Sequence, residues 1–180
     1  MRVFVAVDLP EELHPRIADI QSKFSDFKFK FVNPDIVHIT MKFLGEIPEE
    51  EIENISKALD SVSCEPFETS VGGLGVFPKP RFAKVIWLGC GGDFEQLHKS
   101  IEESLSPFQL AKDLHPFSAH ATLARVKYLP KKKKEDFIQL LEELKDIEVG
   151  TMQVDSIKLK KSTLTPEGPV YETLHEVKIG

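Results

Sequence analysis

Two stretches of this chain share one pattern in one setting, and that repetition constrains its fold more than any other feature. Val37 to Gly45 reads VHITMKFLG, and Ala119 to Val126 reads AHATLARV. Each is an apolar run interrupted by a histidine and, two residues later, a threonine. In a β-strand, residues i and i+2 project from the same face. His38 and Thr40 therefore project together, away from Val37, Ile39, Met41 and Phe43, and His120 and Thr122 project together, away from Ala121 and Leu123. The segment after each strand also repeats: a proline-started helix, from Pro48 and from Pro130, and then two strands. The chain reads as a weak internal duplication. A pseudo-two-fold axis between its halves would set the two His-Thr pairs facing each other across a cleft.

Alternating and β-branched runs predict strands over residues 2–9, 28–32, 36–45, 67–77, 82–90, 118–129, 151–165 and 170–180, the last two joined by the turn PEGP. Helices are expected from Pro10 to about Phe24, from Pro48, from Asp93 to about Leu105, and from Pro130 to about Leu144. Strands and helices mix without steady βαβ alternation, which predicts an α+β fold with antiparallel sheets. The glycines in FETSVGGLGVF suggest a bulge or a close approach of backbone.

Composition excludes several classes. No apolar run approaches the roughly 18 residues of a membrane span. MRVFVAVDLP is broken by Asp8 and Pro10 and lacks a small-residue cleavage site, so it reads as a first strand of a cytoplasmic protein rather than a signal peptide. Cys64 and Cys90 read as free thiols. There is no CxxC, no HExxH and no histidine pair at ligand spacing, so no metal and no cofactor is expected. GCGG, residues 89–92, would need its third dinucleotide-loop glycine where Phe94 stands, which rejects that reading. The net charge of −6 argues against broad, non-specific nucleic-acid binding but leaves room for a pocket that takes one phosphate. The run Lys131–Lys134 reads as a solvated helix start, with an RNA-backbone contact as the second reading.

Two imidazoles across a cleft have a natural chemical use. Histidine titrates near neutral pH, so one can be neutral while the other is protonated. One takes a proton from a nucleophile while the other gives a proton to a leaving oxygen. Two threonine hydroxyls can donate hydrogen bonds to a phosphoryl group between them. Phosphodiester chemistry suits this layout, because attack and departure occur on opposite sides of phosphorus. His14, His98, His115 and His175 have no such context and read as structural or surface residues.

With the flanks HITMKFLGEI and HATLARVK, the start MRVFVAVDLP, the segment GVFPKPRFAKVIWLG and the ending LKKSTLTPEGPVYETL, the chain resembles the 2H phosphoesterase superfamily. The resemblance runs over nearly the whole length and is strongest to the RNA 2′,3′-cyclic phosphodiesterases, also called 2′-5′ RNA ligases. It implies one bilobal domain over residues 1–180, with two pseudo-symmetric antiparallel sheets flanked by helices around a central cleft. Each half would carry one HxTx motif, at 38–41 and 120–123. It implies metal-independent hydrolysis of RNA 2′,3′-cyclic phosphate ends to 2′-phosphates, with tRNA fragments as one source of such ends, by a monomer. It further implies His38 as proton donor, His120 as the proton acceptor that activates water, and Thr40 and Thr122 as phosphate ligands. The alternatives left open are 2′-5′ RNA ligation in the same site and a non-catalytic RNA-end binder.

The family pattern also has an arginine five residues after the second histidine, which Arg125 matches. Five is odd, so strict alternation points Arg125 away from His120. A bulge or the strand's end would restore it to the cleft; otherwise it is a surface ion-pairing residue. In the turn 77–82, Arg81 is placed to meet an RNA phosphate, and Phe77 or Phe82 to stack on a base, with core packing or turn chemistry as the other reading.

Overall fold

A computed structural model describes all 180 residues, Met1–Gly180. The strands are β1 (Arg2–Asp8), β2 (Lys30–Phe31), β3 (His38–Glu46), β4 (Phe67–Phe77), β5 (Val85–Cys90), β6 (His120–Arg125), β7 (Glu148–Val154), β8 (Ser156–Thr165) and β9 (Gly168–Lys178). The helices are α1 (His14–Ser22), α2 (Ile52–Leu59), α3 (Phe94–Leu105) and α4 (Lys134–Leu144). The turns Glu11–Leu13, Glu49–Glu51 and Lys131–Lys133, which open α1, α2 and α4, are 3₁₀, each directly after a proline. Proline fixes φ and has no N–H to leave unpaired, so it suits the residue that starts such a turn.

All nine strands form a single antiparallel sheet, ordered β7-β4-β5-β6-β3-β1-β8-β9, with β2 paired to β6. The two expected sheets are the two four-stranded arms of this one sheet. They meet at one bridge, Ile39 opposite Ala121, both fully buried. The duplication is visible as β1-α1-β3-α2-β4 followed by β5-α3-β6-α4-β7-β8. Each half gives its later strands to the other arm. β4 leaves the first half to pair with β5, and β8 leaves the second to pair with β1. The helices cross over too: α1 lies behind β6, and α3 behind β3.

Two expectations change. Residues 151–165 form not one strand but two, parted at Asp155, because β7 pairs with β4 in one arm and β8 with β1 in the other. Only Lys30–Phe31 of the alternating stretch 28–32 is strand, since Phe29 instead joins an aromatic cluster with Phe24, Phe27 and Phe137. That cluster belongs to one core of 41 buried residues running behind both arms. Burying each such phenyl ring contributes roughly 1.5–3 kcal/mol.

The glycines of β4 have a local reason. Trp87 of β5 lies flat across Gly75 and beside Gly89, and a Cβ on Gly75 would overlap Cη2 and Cζ2 of the indole. Gly75→Ala should therefore cost about 1–3 kcal/mol by overpacking. Trp87 is the only tryptophan in the chain, so its fluorescence and near-UV dichroism report the displaced ring directly. An unchanged spectrum and an unchanged denaturation midpoint would show that the ring does not rest on this glycine.

Candidate active site

The Ile39–Ala121 bridge sets the geometry of the cleft. In an antiparallel pair, stepping one residue out from a bridge sets i−1 opposite j+1. His38 thus lies opposite Thr122, and Thr40 opposite His120, all four on the face away from the core. A two-fold axis through the bridge carries His38 onto His120 and Thr40 onto Thr122. The structure brings these four predicted residues together.

Both rings are held the same way. His38 Nδ1 lies 2.9 Å from the Ile36 carbonyl oxygen, and His120 Nδ1 lies 2.7 Å from that of Ser118. These carbonyls can only accept, so each Nδ1 carries the proton and the neutral ring has its free lone pair on Nε2. His38 Nε2 is 3.0 Å from Thr40 Oγ1. The Ile36 carbonyl is placed by the turn Pro34–Ile36, whose preceding Asn33 side chain accepts from the Asp35 N–H at 2.9 Å.

Aromatic rings wall each histidine. Phe4 and Tyr171 stand 5.1 and 5.2 Å from the His38 ring, centroid to centroid. Phe77 meets the His120 ring edge-on at 5.2 Å, and Trp87 lies 6.2 Å away. Phe77 is thus at the cleft, packed between Trp87 and the His120 ring. Phe82 is not; it stands 60% exposed on the adjoining turn.

Arg125 is where strict alternation fails. Ile86 faces Ala124 and Trp87 faces Thr122, so Leu123 is an extra residue in β6. This bulge flips the parity beyond it and returns Arg125 to the face of His120 and Thr122. The Arg125 charge is felt at Tyr171 of β9, in the other arm. β3 has the matching bulge: Val5 faces Lys42 and Ala6 faces Thr40, leaving Met41 extra. Phe43, five residues after His38, consequently faces the cleft rather than the core, with the Arg2 guanidinium 5.2 Å over its ring. Alternation from His38 places Phe43 with the buried residues, and the bulge overturns that expectation. A bulge has no reliable signature in a run such as ITMKF, so the Phe43 shift was not legible, whereas for Arg125 a bulge was one of the two routes the sequence left open.

Sequence reasoning also missed a charged group beside His38. Asp8 ends β1 opposite His38. Its carboxylate binds Lys158 Nζ at 2.8 Å and Lys160 Nζ, both from β8. Burial pushes the Asp8 carboxyl up, but the hydrogen bonds and charges of the two lysines outweigh it and hold the carboxyl below the usual range. The signals were present: an acid closing an apolar strand, and lysines alternating in SIKLK. Burial holds the His38 imidazole below the ordinary histidine value, and the Lys160 and His120 charges add to this. The Ile36 hydrogen bond and Asp8 oppose them. For Tyr171, burial raises the phenol against the opposing charges of Arg125 and Arg2.

The remaining histidines lie elsewhere. His175 Nε2 is 2.7 Å from Asp60, and His14 Nδ1 is 3.3 Å from Asp35. His98 stacks on Phe117 at 4.2 Å and, with Glu102 and Asp113, makes a group of metal-ligand type that no sequence spacing disclosed. It lies behind β3, and the Lys42 ammonium already binds Glu102 at 2.7 Å and Asp113 at 3.4 Å. The Asp8 carboxylate, beside His38, is engaged by two lysines. The two histidines fall short of the three or four protein ligands usual at a zinc site. No helix is long and apolar enough to cross a membrane.

The fold and cleft can be set beside known proteins. The model of the LigT-like phosphoesterases matches twice, over residues 7–87 and 90–171, once for each half of the duplication. The RNA 2′,3′-cyclic phosphodiesterase of Methanocaldococcus jannaschii is 38% identical over 177 residues, covering 98% of this chain and 99% of its own. That of Methanothermobacter thermautotrophicus is 36% identical, covering 99% of both. Among solved structures, TT0787 of Thermus thermophilus superposes with a TM-score of 0.82 at 29% identity, covering 99% of this chain and 97% of its own. E. coli LigT complexed with 3′-AMP shares the fold, with a TM-score of 0.77 at 22% identity and the same coverage. Two matched halves and relatives similar from end to end place the chain in the LigT-like phosphoesterase family, within the 2H phosphoesterase superfamily.

Proposed function

We propose that this protein hydrolyses RNA 2′,3′-cyclic phosphate ends to 2′-phosphates without a metal, using His38 as acid and His120 as base. The observation that carries this is the two-fold pair of imidazoles. Each is fixed through Nδ1 to a carbonyl two residues upstream, which turns Nε2 toward the cleft, that of His38 lying 3.0 Å from the Thr40 hydroxyl. The names of the similar full-length proteins support the substrate class. On this reading residues 1–180 work as one bilobal domain, each half contributing one HxTx motif, at 38–41 and 120–123. A single chain supplies every cleft residue, so a monomer suffices. The unpaired Cys64 and Cys90 suit a reducing cytoplasm, where tRNA fragments would be one source of cyclic ends.

In the reaction, His120 Nε2 takes a proton from water as its oxygen bonds to phosphorus. The bond from phosphorus to O3′ breaks on the opposite side, and His38 Nε2–H protonates that oxygen. One water is consumed, and the two histidines exchange protonation states and reset through solvent. Thr40 and Thr122 hydroxyls donate to the non-bridging oxygens, and Arg125 offsets their growing charge.

His38 poses a specific problem for this role. An acid must be charged, yet burial holds free His38 toward the neutral form. An entering phosphate anion reverses that bias by favouring imidazolium. The alkaline limb of kcat/KM reports the free protein, so it lies lower than the alkaline limb of kcat.

His38→Ala and His120→Ala should each lower hydrolysis of a cyclic-phosphate RNA by about 10²–10⁴-fold, with EDTA leaving the wild-type rate unchanged. Loss of activity in EDTA and its return with a divalent ion would make the histidines ligands instead. Near-wild-type rates in either variant would remove that histidine from the mechanism. A 5′-hydroxyl RNA half in the same assay reads ligation against hydrolysis.

The ion pair beside His38 supplies an independent check. Lys160 lowers the His38 pKa and Asp8 raises it. Lys160→Met should therefore move the His38 titration, read by NMR in the free protein, to higher pH, and the alkaline limb of kcat/KM with it. Asp8→Asn should move both to lower pH. Opposite shifts from two partners in one ion pair are not produced by general damage to the site. A titration that moves while the limb stays put would take the acid's role away from His38.

Thr40→Val and Thr122→Val keep the side-chain shape and remove one hydroxyl each. Each should lower kcat/KM by less than the histidine replacements do. Full activity in both would place the phosphate elsewhere.

A further inference from the structure

Charge is distributed unevenly over this acidic chain. Residues 79–84 and 125–134 together hold nine Lys and Arg and no Asp or Glu, whereas the rest of the chain holds fourteen against all 29 acids. The fold joins these two segments into one surface. Val85 pairs with Arg125, and the Val126 N–H donates to the Lys84 carbonyl at 2.9 Å. Arg81 meets Glu135 at 3.3 Å, just past the second segment. Phe82, 60% exposed, has the ammonium groups of Lys79 and Lys134 over its ring at 5.1 and 5.2 Å. Tyr128 is 72% exposed on the same stretch, and Lys131 and Lys132 are exposed without an ion-pair partner. The surface starts at the cleft: Phe77 touches His120, its carbonyl accepts from the Lys84 N–H at 2.7 Å, and Arg125 faces the cleft itself.

From this continuity we infer that the surface formed by residues 79–84 and 125–134 binds the single-stranded RNA that extends upstream of the reacting end. The chemistry fits that occupant. Unpaired lysines neutralise successive phosphates, and exposed rings beside them stack on bases without reading sequence. A strand whose last phosphate lies between His38 and His120 would leave the cleft past Arg125 and Phe77, onto Phe82 and the lysines. The inference rests on the proposed cyclic-end hydrolysis for its direction, not for the surface itself.

The test compares a mononucleoside 2′,3′-cyclic phosphate with a dinucleotide and a longer oligonucleotide bearing the same end. kcat/KM should rise with length, and only the longer substrate should lose rate steeply with salt. The triple variant Lys131→Gln/Lys132→Gln/Lys134→Gln should lose roughly tenfold on the longer substrate and flatten its salt slope by about 0.7 per lost phosphate contact. Its rate on the mononucleoside should stay at the wild-type level, which also verifies folding. Equal rates at all lengths, or an equal loss on both substrates, would overturn the inference and leave the patch to an acidic protein partner. Should the wild type hydrolyse nothing, the activity reading fails by itself. Anisotropy of a fluorescent single-stranded RNA then decides the surface alone: weaker binding by the triple variant sustains it, and equal binding overturns it.

Discussion

One backbone bridge, Ile39 to Ala121, is where the strands of the two arms pair, and the geometry of the cleft depends on it. Neighbouring strands run about 5 Å apart, so this one contact sets the spacing of the two histidines and two threonines around it. Both bridge residues are fully buried on the core side, which leaves the opposite face to the polar four. Bulges at Met41 and Leu123 follow directly on each strand. A bulge bends its strand and sharpens the local twist, so β3 and β6 pair at the bridge and then separate. The separation opens the cleft, and the same bulges return Phe43 and Arg125 to it.

The exchange of strands between halves makes the arrangement cooperative. β4 completes the arm that contains β6, and β8 completes the arm that contains β3. Neither half has a full sheet or a full helical cover by itself. Gln21 of α1 shows the same interlock at the scale of one side chain: its amide donates to the carbonyls of Val32 and Leu123, at 2.7 and 3.0 Å, tying the first half's helix to the second half's histidine strand. The Lys42 ammonium does the converse. It reaches back from β3 to Glu102 and Asp113, on the helix and the connection that precede β6.

Much of this was legible in the sequence, and the limits have physical causes. The paired His-x-Thr strands, the proline-started helices and β4 could be read because each rests on local rules: period-two alternation, fixed φ at proline, dense β-branched residues. The split of residues 151–165 could not, because only tertiary pairing distinguishes β7 from β8 on either side of Asp155. Arg125 and Phe43 defeated alternation because parity is a count, and one inserted residue reverses it. The Asp8–Lys158–Lys160 group was hidden for another reason. Its members lie 150 residues apart and become one group only when β8 crosses into the first arm.

The two-fold symmetry of the cleft is one of backbone, not of environment. Here His38 sits among Phe4, Tyr171 and an ion-paired carboxylate with two lysines, while His120 sits against Phe77 and Trp87. The Asp8 group carries one surplus positive charge, and it lies on the His38 side only. The Lys160 charge opposes imidazolium at His38, and the Asp8 charge favours it. A duplicated backbone thus supplies matched positions, and β1 and β8, with their single carboxylate and two lysines, make the two positions unequal.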